Sequence, residues 1–350
     1  MNARRAGLVA ALLLAALPRA AQERGFAGLG GDNAGYALPD RARGLTFPRD
    51  HGAHEDFRIE WWYLTANLRG EDGRDYGVQW TLFRSALAPE GPLQGWAAPQ
   101  AWMAHAAATS PDGHHFAERF GRGGIGQAGV TAAPFAAWID DWQMAAPEGA
   151  AGIDRLRVTA RGGDFGYDLS ATAHGPLVAH GQNGFSVKSA SGQASHYYSQ
   201  PFYDIEGTLA LPGGEVKVAG QAWLDREWSS QPLDRSQRGW DWIALHLDDG
   251  RKLMAAQVRG DAPFLFGSLI APDGTVQPLR QGDLMLDAGR GSPPTRWRVR
   301  VPGAGIDVTI DAVNPDSGMA TSVPYWEGPV TVEGSSRGRG YLEMTGYPAR

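Results

Sequence analysis

Apolar and polar residues alternate along most of the chain, in short runs that end at turn-forming residues. In Ile59–Leu68, neighbouring side chains fall on opposite sides of an extended strand, and Tyr76–Arg84 repeats the pattern after Asp72-Gly73. Two such runs joined by Asp-Gly are typical of a β-hairpin. Similar runs, each followed by a Gly-containing turn, recur at Ala101–Ser110, Asp204–Leu211, Trp240–Leu247 and Phe264–Ala271. Because no long run after the N-terminus has a helical period, the chain is predicted to be all-β and antiparallel, in sandwich or barrel form.

Two parts of the chain are similar to each other. Trp61-Trp62-Tyr63 precedes a Gly-Arg turn, and Trp240-Asp241-Trp242 precedes another one about 180 residues later. This spacing predicts two tandem β domains of ordinary size. The join is predicted within Gly181–Gln200, where Gly, Ser, Asn and Gln cluster, which gives an N-terminal domain at 49–190 and a C-terminal domain at 191–350.

The N-terminus has the pattern of an export signal. Arg4 and Arg5 precede the apolar run Gly7–Leu17, which is too short to cross a bilayer and is followed by small residues. We therefore expect a signal peptide at 1–21, an extended lead-in at 22–48, and a periplasmic or secreted protein. The paired arginines leave both the Sec and the twin-arginine route open, and no later stretch is long and apolar enough to predict a membrane span.

Composition narrows the range of partners. The chain has 350 residues, with 32 basic and 38 acidic side chains and a net charge of −6, which argues against nucleic acid as a partner. It has no cysteine, so disulfides, thiolate metal sites and cysteine nucleophiles are excluded. The 35 aromatic residues, from 13 Trp, 10 Tyr and 12 Phe, indicate a packed core rather than disorder.

The segment Ala222–Trp228 is the strongest candidate for chemistry. Strand alternation places Asp225 and Glu227 on one face, and Arg226 and Trp228 on the other. Two carboxyls about 7 Å apart beside indoles can differ in pKa and so provide a general acid and a general base. The alternative is that the two carboxyls pair with arginines at the end of a strand.

A second segment, Gly239–Trp242, lies shortly after the first. Asp241 points away from Trp240 and Trp242, and a returning strand is predicted to bring it near the Asp225/Glu227 pair. His196, next to two tyrosines, is the best-placed titrating histidine, although a polar cap at the domain junction is an equally simple interpretation. The predicted catalytic residues are thus Asp225, Glu227, Asp241 and His196, and the predicted ligand-binding residues are Trp61, Trp62, Tyr198, Arg226, Trp228, Trp240 and Trp242.

The remaining motifs in the sequence do not predict a metal, nucleotide or serine-hydrolase site. His51 and His54 lack a third ligand at a metal-binding spacing and are interpreted as solvated loop histidines, so no metal and no cofactor are predicted. The Gly-rich run at 121–129 lacks a P-loop lysine, and no serine has the Gly-x-Ser-x-Gly context of an α/β-hydrolase.

Several unusual combinations of aromatic and acidic residues occur in order from about residue 50 to the C-terminus. They are Phe57–Tyr63, the Gly77/Gln79/Thr81/Phe83/Arg84 series, Tyr197–Ser199, Gly220–Trp228, Gly239–Trp242, Leu247–Gly250 and Gly340–Tyr347. This series resembles the AttH-like proteins, which are lipocalin-like, predicted secreted hydrolases grouped with carotenoid 1,2-hydratases. The resemblance implies two tandem lipocalin-like, calycin-type antiparallel β-barrel domains.

The resemblance also implies a range of activities. Characterised relatives add water across a carbon–carbon double bond without a cofactor, and bacterial relatives are associated with ABC-type exporters. The carotenoid hydratases carry a histidine just before the tryptophan that matches Trp228, whereas this chain has Arg226 and Glu227 there. This difference argues against carotenoid hydration itself and leaves the acid and base roles to the carboxylates.

Three functions remain open from the sequence. The first is a cofactor-independent hydratase or hydrolase that binds an elongated apolar ligand, such as a lipid or an isoprenoid, and uses paired carboxylates. The second is a non-catalytic periplasmic lipid carrier that serves an ABC-type exporter. The third is a β-sandwich glycosidase or sugar-binding module in which Asp225 and Glu227 flank a glycosidic bond.

Overall fold

The computed structural model describes residues 33–89 and 93–347, so the predicted signal peptide and the first part of the lead-in lie outside them. Within these ranges the chain is built almost entirely from antiparallel strands, with short 3-10 helices at Arg49–His51, Gly95–Ala97 and Pro302–Ala304. No helix among the described residues is long and apolar enough to cross a membrane.

Thirteen of the described strands form the first sheet. They are β1 (Ile59–Gly70), β2 (Asp75–Ala86), β3 (Gln100–Ser110), β4 (Gly113–Arg122), β5 (Ala128–Ala132), β6 (Phe135–Ile139), β7 (Trp142–Ala145), β8 (Arg155–Arg161), β9 (Gly166–Ala173), β10 (Val178–Ala179), β11 (Phe185–Val187), β12 (Ala194–Leu211) and β13 (Gly214–Ser229). The main path runs β4-β3-β2-β1-β13-β12-β9-β8-β7-β6-β5. Strands β3 and β4 also contact β6 near the far end of this path, so the sheet curls round on itself.

Ten described strands form the second sheet. They are β14 (Gly239–Leu247), β15 (Lys252–Arg259), β16 (Phe264–Ile270), β17 (Val276–Leu279), β18 (Met285–Ala288), β19 (Arg296–Val301), β20 (Ile306–Ala312), β21 (Gly318–Met319), β22 (Tyr325–Gly334) and β23 (Gly338–Thr345). Its main path is β17-β16-β15-β14-β23-β22-β20-β19-β18. The prediction of two antiparallel, lipocalin-like barrel domains is therefore confirmed at the level of fold.

The hairpins predicted from alternation and turn residues are present. The first, β1–β2, pairs Trp62 with Leu82 and turns at Gly73, whose φ of 78° suits a residue without a side chain. The pairs β3–β4, β12–β13, β14–β15 and β16–β17 form the other predicted hairpins.

The change from one sheet to the other does not fall where the join was predicted. Strands β12 and β13 pair with β9 and β1, so they belong to the first sheet, and the chain changes sheet between Ser229 and Gly239. The Gly-rich segment 181–193 is not a linker, because β11 within it turns back and pairs with the start of β12. The first unit therefore extends beyond 190.

Among the residues that the structure describes, buried apolar side chains form three clusters. One fills the curl of the first sheet around Trp62, Trp80 and Trp228, and another fills the second sheet around Ile243 and Trp297. The third lies between the two sheets and is described with the site below. Each sheet thus has its own core, and the outer faces of the two sheets pack against each other.

Candidate functional site

A cavity of about 450 Å³ lies between the outer faces of the two sheets. Its walls include Trp61 and Phe83 from the first sheet, and Trp240, Trp242 and Phe266 from the second. These side chains share the outer face of their strands with the cluster that packs the sheets together. The cavity is therefore a mainly aromatic space between two units.

Asp225 is the buried carboxyl of the first wall, with 3% of its surface exposed. Its Oδ1 accepts hydrogen bonds from Trp223 Nε1 at 2.6 Å and from the Ser199 hydroxyl, and its Oδ2 accepts from the Tyr197 hydroxyl at 2.7 Å. Burial raises the pKa of Asp225 to about 7, and the Glu227 charge adds to the rise, although the three donors oppose it. At neutral pH this carboxyl is divided between its acid and its anion.

Glu343 is the carboxyl of the opposite wall. It lies on β23 beside Trp242 of β14, and Trp240 Nε1 donates a hydrogen bond to its Oε1. Burial raises the pKa of Glu343 to about 7, the charges of Asp225 and Glu227 raise it further, and the hydrogen bond from Trp240 opposes the rise. Two carboxyls from different sheets therefore titrate in the same range at one cavity.

Glu227 and Lys188 form an ion pair in the same wall. Lys188 Nζ lies 2.9 Å from Glu227 Oε1, and the Ser195 hydroxyl donates to the same oxygen. The ammonium group also lies over the rings of Tyr197 and Phe266, at 4.5 and 4.4 Å from their centres. Glu227 is thus held in the cavity wall by its contacts with Lys188 and Ser195.

Tyr63 and Tyr325 line the cavity and contact the carboxyl of Glu327. The Tyr63 hydroxyl donates to Glu327 Oε1, and Tyr325 Oη lies 2.9 Å from His105 Nδ1. Burial raises the pKa of Glu327 well above its ordinary value, and the nearby charge of Glu343 adds to this effect. Burial therefore favours the protonated form of Glu327, which lies behind the cavity.

Five of the predicted site residues lie at the cavity, and they are Asp225, Glu227, Trp61, Trp240 and Trp242. Asp241 is not with them, because it lies on the opposite face of β14. There it pairs with Arg259 Nε at 3.1 Å and accepts from Gln257. Alternation along the strand separates it from its neighbouring tryptophans.

The other predicted residues lie inside the first sheet. Their side chains do not line the cavity, and they are Trp62, His196, Tyr198, Arg226 and Trp228. The Arg226 guanidinium stacks over the Trp62 ring at 3.9 Å. His196 packs against Trp228 with ring centres 5.2 Å apart, and burial lowers its pKa to about 4. These side chains contribute to the core of the first unit, on the face of β1, β12 and β13 away from Asp225.

His51 and His54 are buried, which corrects their interpretation as solvated loop residues. Each is less than 10% exposed. His54 stacks on Trp228 at 4.0 Å and lies 3.0 Å from Glu60, while His51 Nδ1 lies 2.7 Å from the Tyr198 hydroxyl. The segment before β1 therefore closes one side of the first core. Within the described ranges, no group of three or more His, Asp or Glu residues could hold a metal ion.

Four further residues line the cavity although the sequence does not predict them there, and they are Glu343, Lys188, Tyr63 and His105. Glu343 carried a signal, since it stands between Leu342 and Met344 in an apolar strand where a carboxylate is costly to bury. Lys188 is one of only three lysines in the chain, but its position in a turn-rich segment gave no indication of the cavity.

Comparison with known proteins identifies the family. The sequence profile described as AttH-like matches residues 38–347. The crystal structure of an AttH protein from Nitrosomonas europaea is 33% identical to this chain, covers 89% of it and 100% of its own length, and has a TM-score of 0.78. Kievitone hydratase from Nectria haematococca shares the fold at 15% identity and a TM-score of 0.66, with 90% of this chain and 96% of that chain covered. No curated protein matches the chain significantly. The chain belongs to the AttH-like family.

Proposed function

We propose that the cavity between the sheets is the active site of a cofactor-independent hydratase, which adds water across a carbon–carbon double bond of an elongated apolar ligand. The observation that carries this proposal is the pair of cavity carboxyls, Asp225 and Glu343, whose pKa values burial raises to about 7. A general acid and a general base work best with pKa values near the working pH. A member of the same fold is named as a hydratase.

Hydration requires a proton at one carbon and a hydroxyl group at the other. In the proposed reaction, protonated Asp225 donates toward the alkene, directly or through the Tyr197 hydroxyl to which it is bonded. The faces of Trp61, Trp240 and Trp242 stabilise the positive charge that develops on carbon. Ionised Glu343 takes a proton from the attacking water, and this proton returns through solvent to Asp225, so that one water is consumed per alcohol formed.

The arrangement argues against a serine hydrolase. Ser199 stands between Asp225 and His180 rather than at the end of a Ser-His-Asp series, and it does not line the cavity. The aromatic lining instead fits an apolar ligand.

Isotope incorporation tests the proposal directly. The protein is incubated with a panel of isoprenoid alkenes, prenylated phenols and unsaturated fatty acids in H₂¹⁸O and, separately, in D₂O. Mass spectrometry of one product is expected to show one ¹⁸O in the alcohol from the first solvent and one carbon-bound deuterium from the second. If these ligands bind saturably but no product contains ¹⁸O or carbon-bound deuterium, catalysis is contradicted and the lipid carrier is favoured. A fluorescence response to oligosaccharides alone would favour the sugar-binding alternative.

We also propose that the protein is exported, because Arg4 and Arg5 precede a short apolar run. Cell fractionation with N-terminal sequencing is expected to find a periplasmic or secreted chain that begins near residue 22. The double variant R4K/R5K separates the two routes, since the twin-arginine pathway requires the arginine pair and the Sec pathway accepts lysine. A cytosolic chain that retains Met1 would contradict export.

A further inference from the structure

A chain of polar side chains runs from the second sheet to Asp225. His180 Nδ1 lies 2.8 Å from Ser268 Oγ of β16, and His180 Nε2 lies 2.6 Å from Ser199 Oγ of β12. The Ser199 hydroxyl in turn donates to Asp225 Oδ1. His180, Ser199 and Ser268 are all fully buried, and none of them lines the cavity. The reaction proposed above does not use them.

When Asp225 is ionised, the hydrogens carried by Ser199 and His180 determine which group donates and which accepts in each of these hydrogen bonds. Burial lowers the pKa of His180 to about 3, helped by the charge of Lys188, so the ring is neutral and carries one proton. Ser199 has a single hydrogen, which it gives to Asp225, so its oxygen accepts from His180 Nε2–H. His180 Nδ1 is then left without a hydrogen and accepts from the Ser268 hydroxyl.

This direction has a consequence for the acid. Oδ1 of Asp225 already receives the Trp223 indole N–H, which can only donate, and the Ser199 hydroxyl. A proton on Oδ1 would require Ser199 to turn away and His180 to change tautomer. Oδ2 faces Tyr197, whose oxygen also receives Trp242 Nε1–H at 3.2 Å. The proton of the neutral acid is therefore favoured on Oδ2, on the side of the cavity.

We propose that His180 is a positioning residue for Asp225: through Ser199 and Ser268 it makes Oδ1 a fixed acceptor and directs the acidic proton to Oδ2, next to Tyr197 and the cavity. This inference deepens the proposed hydratase and rests on it for its catalytic meaning. The charged and titratable groups facing the Asp225–His180 chain are Glu227, Glu343, Lys188 and Tyr197. His180 also stacks on Tyr197, with ring centres 4.1 Å apart.

The test measures Asp225 without any substrate. Infrared difference spectra, with the D225N protein subtracted, follow the carbonyl stretch of protonated Asp225 across a pH titration. His180→Phe keeps an aromatic ring against Tyr197 but removes both ring nitrogens. The Ser199 hydroxyl is then no longer held toward ionised Asp225, so the midpoint of the Asp225 titration is expected to rise. The expected rise is about one pH unit, a tenfold change in the dissociation constant.

Three further variants separate positioning from structural damage. Ser199→Ala is expected to raise the midpoint by a similar amount, and the double variant H180F/S199A by no more than either single change, because the two residues act as one chain. His180→Gln, which offers an N–H near the place of Nε2, is expected to restore the wild-type midpoint. His246→Phe is the matched control, since His246 is also fully enclosed and its ring lies 5.8 Å from that of Trp223, yet it bonds to the Pro201 carbonyl instead of this chain.

Two outcomes would overturn the proposal. One is an unchanged midpoint in H180F with a raised midpoint in S199A, which would show that the Ser199 hydroxyl donates to Asp225 without help from His180. The other is an equal shift in H246F, which would assign the effect to buried histidines in general. If no alkene in the panel is hydrated, the hydratase fails, while the infrared midpoint still decides whether His180 positions Asp225.

Discussion

Asp225→Asn is expected to lower hydration turnover by about 10²–10⁴-fold, the usual loss when a general acid is removed. Asparagine has the same shape as the protonated acid: its oxygen can accept from Trp223 and Ser199, and its amide group can donate to Tyr197. Binding of the apolar ligand should therefore be retained. Turnover and equilibrium binding, measured on the same preparation, check both expectations.

The stability of the same variant gives an independent readout. The folded pKa of Asp225 is about 7, above the ordinary value for an aspartate, so the folded state favours the protonated form. Wild-type stability is then expected to fall as pH rises from about 4 to about 7, and D225N lacks this loss. At pH 7 the thermal midpoint of D225N should equal or exceed that of the wild type. An unfolded D225N protein would show that Asp225 is structural.

Asp241→Asn is the matched control for this experiment. Burial also raises the pKa of Asp241, to about 6, but the side chain points away from the cavity and pairs with Arg259. Its removal is expected to leave turnover within a few-fold of wild type, whereas Glu343→Gln should reduce turnover as D225N does. Equal losses in D241N and D225N would contradict the assignment of the cavity as the active site.

Glu60→Gln is expected to cost about 3–5 kcal/mol of folding free energy at pH 7, because it leaves buried cations without their partner. Glu60 has no exposed surface and lies 2.6 Å from Arg84 Nε, 3.3 Å from Arg226 Nη2 and 3.0 Å from His54 Nδ1. Urea unfolding measures the loss. Asp168→Asn, which breaks the exposed pair with Arg157, is the control and should cost no more than about 1 kcal/mol.

The difference between wild type and E60Q should depend on pH. Burial alone would raise the pKa of Glu60, but the Arg84 charge and the His54 bond outweigh it and hold that pKa well below its usual range. The stabilisation is therefore fully present above the unfolded pKa of about 4.3 and is lost progressively as pH falls below it. A loss that stays constant from pH 7 to pH 3 would contradict this account.

The strands could be predicted from the sequence because their signals are local. Gly73 and Gly250 mark turns between alternating runs, and each predicted hairpin needs only residues that are close along the chain. Strand alternation also predicts correctly that the side chains of Asp225 and Arg226 lie on opposite faces of β13. The change of sheet could not be located in this way, because β12 and β13 are held in the first sheet by pairing with the distant β9 and β1.

The cavity face could not be identified for a related reason. Both faces of the second half of β13 are buried, one in the core around Trp62 and the other against the second sheet, so apolar neighbours do not distinguish them. Asp225 and Glu343 are brought together by packing of the two sheets, and local periodicity carries no information about that packing. The same limit explains why Arg226 and His196 were assigned to the site.

The cavity walls belong to the outer faces of the two sheets, while each sheet is stabilised by its own separate core. Phe83 and Phe266 line the cavity but belong to neither of these two cores, so they are expected to tolerate exchange without loss of folding. Ligand preference is therefore expected to change through such lining positions alone. In laboratory evolution, libraries confined to lining positions such as Phe83 and Phe266 should retain a high fraction of folded clones.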